Sequence, residues 1–118
     1  MKTIYILGFT ALMLLSSCSS TSPKDASKNF LESLAVGNID KVKEYSTYSF
    51  GNTIALASLM KPLKENPDFK FVFVSDSISN NKAWVRFIDD SSKNKKIITV
   101  ELTKIDENWK VKRILNKY

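Results

Sequence analysis

The hydrophobic period of this chain changes at Pro67, and that change limits the folds open to it. Before it, apolar residues recur at helical spacing. Ala26, Phe30, Leu31, Leu34 and Ala35 form one stripe, and Ile54, Leu56, Ala57, Leu59, Met60 and Leu63 form another. After it the period is two. Ala83, Val85 and Phe87 alternate with Trp84, Arg86 and Ile88, and Ile98, Val100 and Leu102 alternate with Thr99, Glu101 and Thr103. Helices followed by strands imply an α+β fold, with N-terminal helices packed on one face of an antiparallel four-stranded sheet.

Local signals set the expected boundaries. Ser22-Pro23-Lys24-Asp25 reads as a helix start, with a hydroxyl cap, proline at the first position and an acid in the first turn. Gly37 is the expected stop. Asn38 or Asp40 opens a short second helix through Tyr45, with Ile39 and Val42 inward. Ser46 to Asn52 reads as a loop, and Thr53 to about Lys64 as a third helix that Pro62 weakens. Strands are expected over Phe69–Ser79, Ala83–Asp89, Lys96–Ile105 and Trp109–Leu115. They are separated by Asn80-Asn81, by a loop from Asp90 to Asn94 and by Asp106-Glu107-Asn108. In the last strand Trp109, Val111, Arg113 and Leu115 are expected on one face.

The first 17 residues look like an address rather than part of the domain. Lys2 is followed by an uncharged run of 12 residues, Ile4 to Leu15, which suits the ~7–15 residues of a signal-peptide core. A membrane-spanning helix needs about 20 apolar residues, and hydroxyls take over from Ser16. Leu15-Ser16-Ser17-Cys18 resembles the lipobox of bacterial lipoproteins. The resemblance implies a diacylglyceryl group on the Cys18 sulfur, cleavage between Ser17 and Cys18, and a cell-envelope protein held by acyl chains on Cys18. In that class an aspartate after the cysteine favours inner-membrane retention. Ser19 stands here, so the outer membrane is expected where there is one. The chain then divides into a signal peptide (1–17), a lipidated cysteine with a short tether (18–22) and one domain (23–118).

Composition prunes the chemistry. The 118 residues include 1 Cys and no His, which excludes an internal disulfide, His/Cys zinc sites and His-dependent nucleophilic triads. No metal and no cofactor is expected. The net charge of +6 falls to +5 without Lys2. Its lysines alternate with acids along the whole chain, which describes a solvated surface rather than a nucleic-acid interface.

Pro23-Lys24-Asp25-Ala26-Ser27-Lys28-Asn29-Phe30-Leu31-Glu32-Ser33-Leu34, followed by Gly37-Asn38-Ile39-Asp40-Lys41-Val42, resembles the opening of nuclear-transport-factor-two-like domains. The likeness is closest to a bacterial lipoprotein branch of uncharacterised function. Glu107-Asn108-Trp109-Lys110-Val111 matches the final strand of that family. The resemblance implies a curved sheet wrapped around a helix into a cone, often with a pocket at the open end, and no single activity.

On that basis Tyr45 and Tyr48 are candidates for the pocket mouth, while Trp84 and Arg86 share a strand face suited to an anionic or aromatic ligand. The candidate acids are Asp76, Asp89, Asp90 and Glu101, and none is joined by a convincing catalytic partner. The chain therefore reads as a non-catalytic binding or interaction module for a small molecule or an envelope protein. The alternatives are a small isomerase or hydrolase using a buried Asp with Tyr48 nearby, and an immunity or inhibitor lipoprotein.

Overall fold

A computed structural model describes residues 21–61, 65–66, 68–90 and 95–117. The expected signal peptide, Cys18 and residues 91–94 of the expected Asp90–Asn94 loop lie outside the described residues. Three helices, α1 (Pro23–Ala35), α2 (Ile39–Tyr45) and α3 (Tyr48–Met60), precede four strands, β1 (Phe71–Ser79), β2 (Lys82–Asp89), β3 (Ile97–Ile105) and β4 (Asn108–Lys117). The strands form one antiparallel meander in chain order, curled but not closed, with the helices on its inner face.

The expected caps form. The Ser22 hydroxyl accepts the Asp25 N–H at 3.1 Å. At the other end of α1, Asn38 N–H reaches Ser33 O at 2.8 Å and Gly37 N–H reaches Leu34 O at 3.2 Å. That pair of bonds puts Gly37 at φ +74°, where a side chain would be strained. The Asn38 side chain then caps α2.

The core joins Ala26, Phe30 and Leu31 of α1 and Val42 of α2 to Ala83, Val85, Phe87, Val100, Leu102 and Val111 of the sheet. The inward rows of β2 and β3 are the ones the alternation predicts. Phe87 pairs with Ile98, Val85 with Val100 and Ala83 with Leu102.

Three expectations are corrected. Ser46 to Asn52 is not a loop throughout, because α3 begins at Tyr48 under a Thr47 cap whose hydroxyl accepts Phe50 N–H at 3.3 Å. Gly51 is tolerated inside this helix because α3 meets α2 there; a Cβ at Gly51 would lie 2.6 Å from Ser46 Oγ and 3.3 Å from Lys43 Cα. The helix ends at Met60 rather than near Lys64. Lys61 is extended, at φ −142° and ψ 111°, as the residue before a proline prefers.

The third correction concerns faces. Lys112 is an extra residue opposite the Glu101–Leu102 step, so Leu102 pairs with Val111 but Glu101 with Arg113. Val111 therefore faces the core while Arg113 and Leu115 face outward, and Ile114 replaces them inside. A second bulge leaves Val74 unpaired between Phe73 and Ser75 in β1.

Candidate functional site

The inner surface of the sheet is filled at one end and open at the other. Towards the β3–β4 turn, Phe30, Val42, Leu102 and Val111 are completely buried. Beneath the C-terminal half of α1 an apolar hollow of about 280 Å³ remains. Leu31, Leu34 and Ala35 form its helical wall, and Phe71, Ile98 and Ile114 its sheet wall. Two polar side chains border it, Asn66 and Asp89. Asn66 is brought there by its backbone N–H, which donates to Ala35 O at 2.7 Å. Asp89 ends the inward row Ala83, Val85, Phe87 and stands opposite Phe71. The hollow thus combines greasy walls with polar groups on its rim. Its volume is at the small end of the ~300–1,000 Å³ usual for ligand pockets.

Two other concavities are more polar. A cleft of about 170 Å³ joins Thr21 and Ala26 to Tyr45, Trp109 and Lys110. A more open groove of about 570 Å³ runs along the flank of α3, where Ser49 and Thr53 face Thr103, Lys112 and Arg113.

The four residues singled out as a pocket set do not converge. Tyr45 is half-buried against the core and borders the cleft beside Thr21. Tyr48, in the first turn of α3, is 87% exposed. Trp84 and Arg86 do share a strand face, but it is the outer one, away from the helices. There the Trp84 indole Nε1 donates to Glu101 Oε1 at 3.2 Å, and Arg113 Nε pairs with Glu101 Oε2 at 3.0 Å. Arg86 donates to Ser75 Oγ at 3.5 Å.

The candidate acids also divide. Asp76 is exposed on the edge strand. Asp90 lies outside the strands and pairs with Lys70 and Lys95, each at 3.6 Å. Glu101 belongs to the outer cluster, which leaves Asp89 as the acid at the apolar hollow. Asp89 is one of the four candidate acids of the sequence, although its place beside Asp90 at a strand end reads as solvent edge. The alternation from Ala83 was the signal that placed it inside. No group of three potential metal-binding carboxylates or thiols occurs among the described residues. No helix there is long and apolar enough to cross a membrane.

No protein-family model, curated protein or solved structure matches this chain.

Proposed function

We propose that this protein is a cell-envelope lipoprotein of the nuclear-transport-factor-two-like kind, anchored through acyl chains on Cys18, whose domain is a non-catalytic binding module. The observation that carries the reading is the placement of Cys18. The single cysteine stands three residues past the end of the uncharged run and precedes the Ser22 helix cap by four residues. Two or three acyl chains, each methylene contributing about 0.8 kcal/mol, hold a protein on a membrane where one chain does not. The hollow bordered by Asn66 and Asp89 supports a small ligand with an apolar body and a hydrogen-bonding head. In this reading Trp84, Arg86 and Glu101 are structural partners on the outer face.

Intact mass of the membrane-purified protein tests the anchor. The expected result is a chain beginning at Cys18 and carrying acyl groups. Cys18→Ala should accumulate unprocessed and unacylated; an unchanged mass and membrane partition for that variant would defeat the proposal. Native mass spectrometry tests the hollow, because Ala35→Leu should fill it and displace any small molecule that copurifies.

A second reading, a hydrolase or isomerase with Asp89 as base, is favoured by the position of that one acid. Tyr48 does not border the hollow and cannot serve as its oxyanion donor in this arrangement. The reading requires turnover that Asp89→Asn abolishes while leaving stability intact.

A further inference from the structure

α3 presents apolar side chains to solvent along its length. Leu56 is 62% exposed, Leu59 83% and Met60 84%. Tyr48, Asn52, Leu56 and Leu59 follow one another at helical spacing, so they form a single stripe with Met60 beside it. The opposite side accounts for the packing, since Phe50 and Ile54 reach the core and Gly51 meets α2. The run from Ser46 to Met60 contains no charged residue, although 25% of the chain is charged. A helix whose water-facing stripe is uncharged and ends in three large apolar side chains presents a surface with no partner among the described residues.

The anchor proposed at Cys18 points to a partner for that surface. Thr21 borders the same cleft as Tyr45, which stands three residues before α3. The three residues from Cys18 to Thr21 can span at most about 11 Å. Acyl chains on Cys18 would therefore hold Thr21 within that distance of the headgroups, on the side of the domain where α3 starts. The charges beside the helix suit an anionic lipid surface. Exposed Lys61 follows its last residue, and Lys112 lines the flanking groove with Arg113, which also pairs with Glu101. The acids near the anchor side are Glu44, which lines the cleft, Asp25 in the first turn of α1, and Asp106 and Glu107 in the turn before Asn108.

We infer that α3 lies flat in the interfacial layer of the membrane that holds Cys18, with Leu56, Leu59 and Met60 entering the acyl boundary and Tyr48 at the headgroups. Lys61 and Lys112 then sit over anionic phosphates. This docking rests on the anchoring reading above, and the test separates the two.

An acylated Cys18 has no free thiol, so Leu59→Cys supplies a single labelling position on the membrane-purified lipoprotein. The probe is an environment-sensitive fluorophore, read in vesicles of phosphatidylethanolamine and phosphatidylglycerol. The label at Leu59→Cys should shift to shorter wavelength and be quenched by spin-labelled lipid. A label at Asp68→Cys, beyond the far end of α1, should stay water-like and unquenched. A water-like label at Leu59→Cys on a chain whose mass shows acylation overturns the docking and leaves the anchor standing. An unacylated Cys18 overturns both. A shielded label that spin-labelled lipid does not quench assigns the stripe to a second copy or another protein, and also overturns the docking.

Discussion

Glu101 and Arg113 face each other across β3 and β4 only because Lys112 is inserted between Arg113 and Val111. Without the bulge, alternation from Val111 would send Arg113 into the core. With it, the guanidinium reaches Glu101 Oε2 at 3.0 Å while Glu101 Oε1 accepts the Trp84 indole at 3.2 Å. The Glu101 side chain is 17% exposed and that of Arg113 52%, so the carboxylate is the member that loses most if left alone. Arg113→Ala leaves that carboxylate with the Trp84 indole as its remaining partner here and should lower stability by roughly 1–3 kcal/mol. Glu101→Ala removes the shielded charge itself, leaves a guanidinium that is half in water, and should cost less, about 1 kcal/mol. Chemical denaturation of both variants checks the order; an equal or reversed cost would contradict it.

Glycine-to-alanine changes inside helices usually stabilise, by about 1 kcal/mol. Gly51→Ala should do the opposite. The added methyl would meet Ser46 Oγ at 2.6 Å, and that hydroxyl is held by its bond to Val42 O at 2.7 Å. A loss of about 1–3 kcal/mol is expected from overpacking. The double variant Gly51→Ala with Ser46→Ala should recover part of it, as thermal melts would show.

Asp106 and Glu107 both adopt left-handed backbone, at φ 49° and 67°, in the two-residue turn between β3 and β4. Glycine takes this conformation at lower cost than glutamate. Glu107→Gly should therefore stabilise by about 0.5–1 kcal/mol, even after losing an exposed ion pair with Lys104 that contributes little. A lower melting temperature would count against this account of the turn.

Phe30 is fully buried and stacks on Phe50 with ring centroids 5.9 Å apart. Through that contact α1 holds α3. Phe30→Ala should cost about 3–5 kcal/mol. Hydrogen exchange should rise in α3 more than in the β2–β3 hairpin, because α3 has few other inward side chains. Uniform loss of protection would show that α3 does not depend on this contact.

The inward rows of β2 and β3 were legible because each alternates without interruption. The first helix was legible from Ser22, Pro23 and Gly37, whose roles depend only on neighbouring backbone. What escaped was anything set by contact between distant segments. Gly51 reads as a helix breaker until α2 is seen to lie against it. Lys112 carries no local mark of a bulge; only the pairing with β3 reveals that one residue too many has been fitted. The same bulge moved Arg113 and Leu115 to the outer face. The hollow bordered by Asp89 depends on where α1 crosses the sheet, a distance that periodicity does not encode.

The packing of α1 and α2 against β4 also fixes when the fold can close. Phe30 and Val42 share the core with Val111, and Thr47 N–H bonds to Val111 O at 2.9 Å. Lys110 Nζ adds a bond to Glu44 O at 2.6 Å, drawing the start of β4 onto the end of α2. Residues of α1 and α2 thus find part of their cover in the last of the four strands. A chain emerging N-terminus first carries Phe30 and Val42 incompletely covered until β4 follows, so truncations that remove β4 should yield sticky, protease-sensitive chains rather than smaller domains.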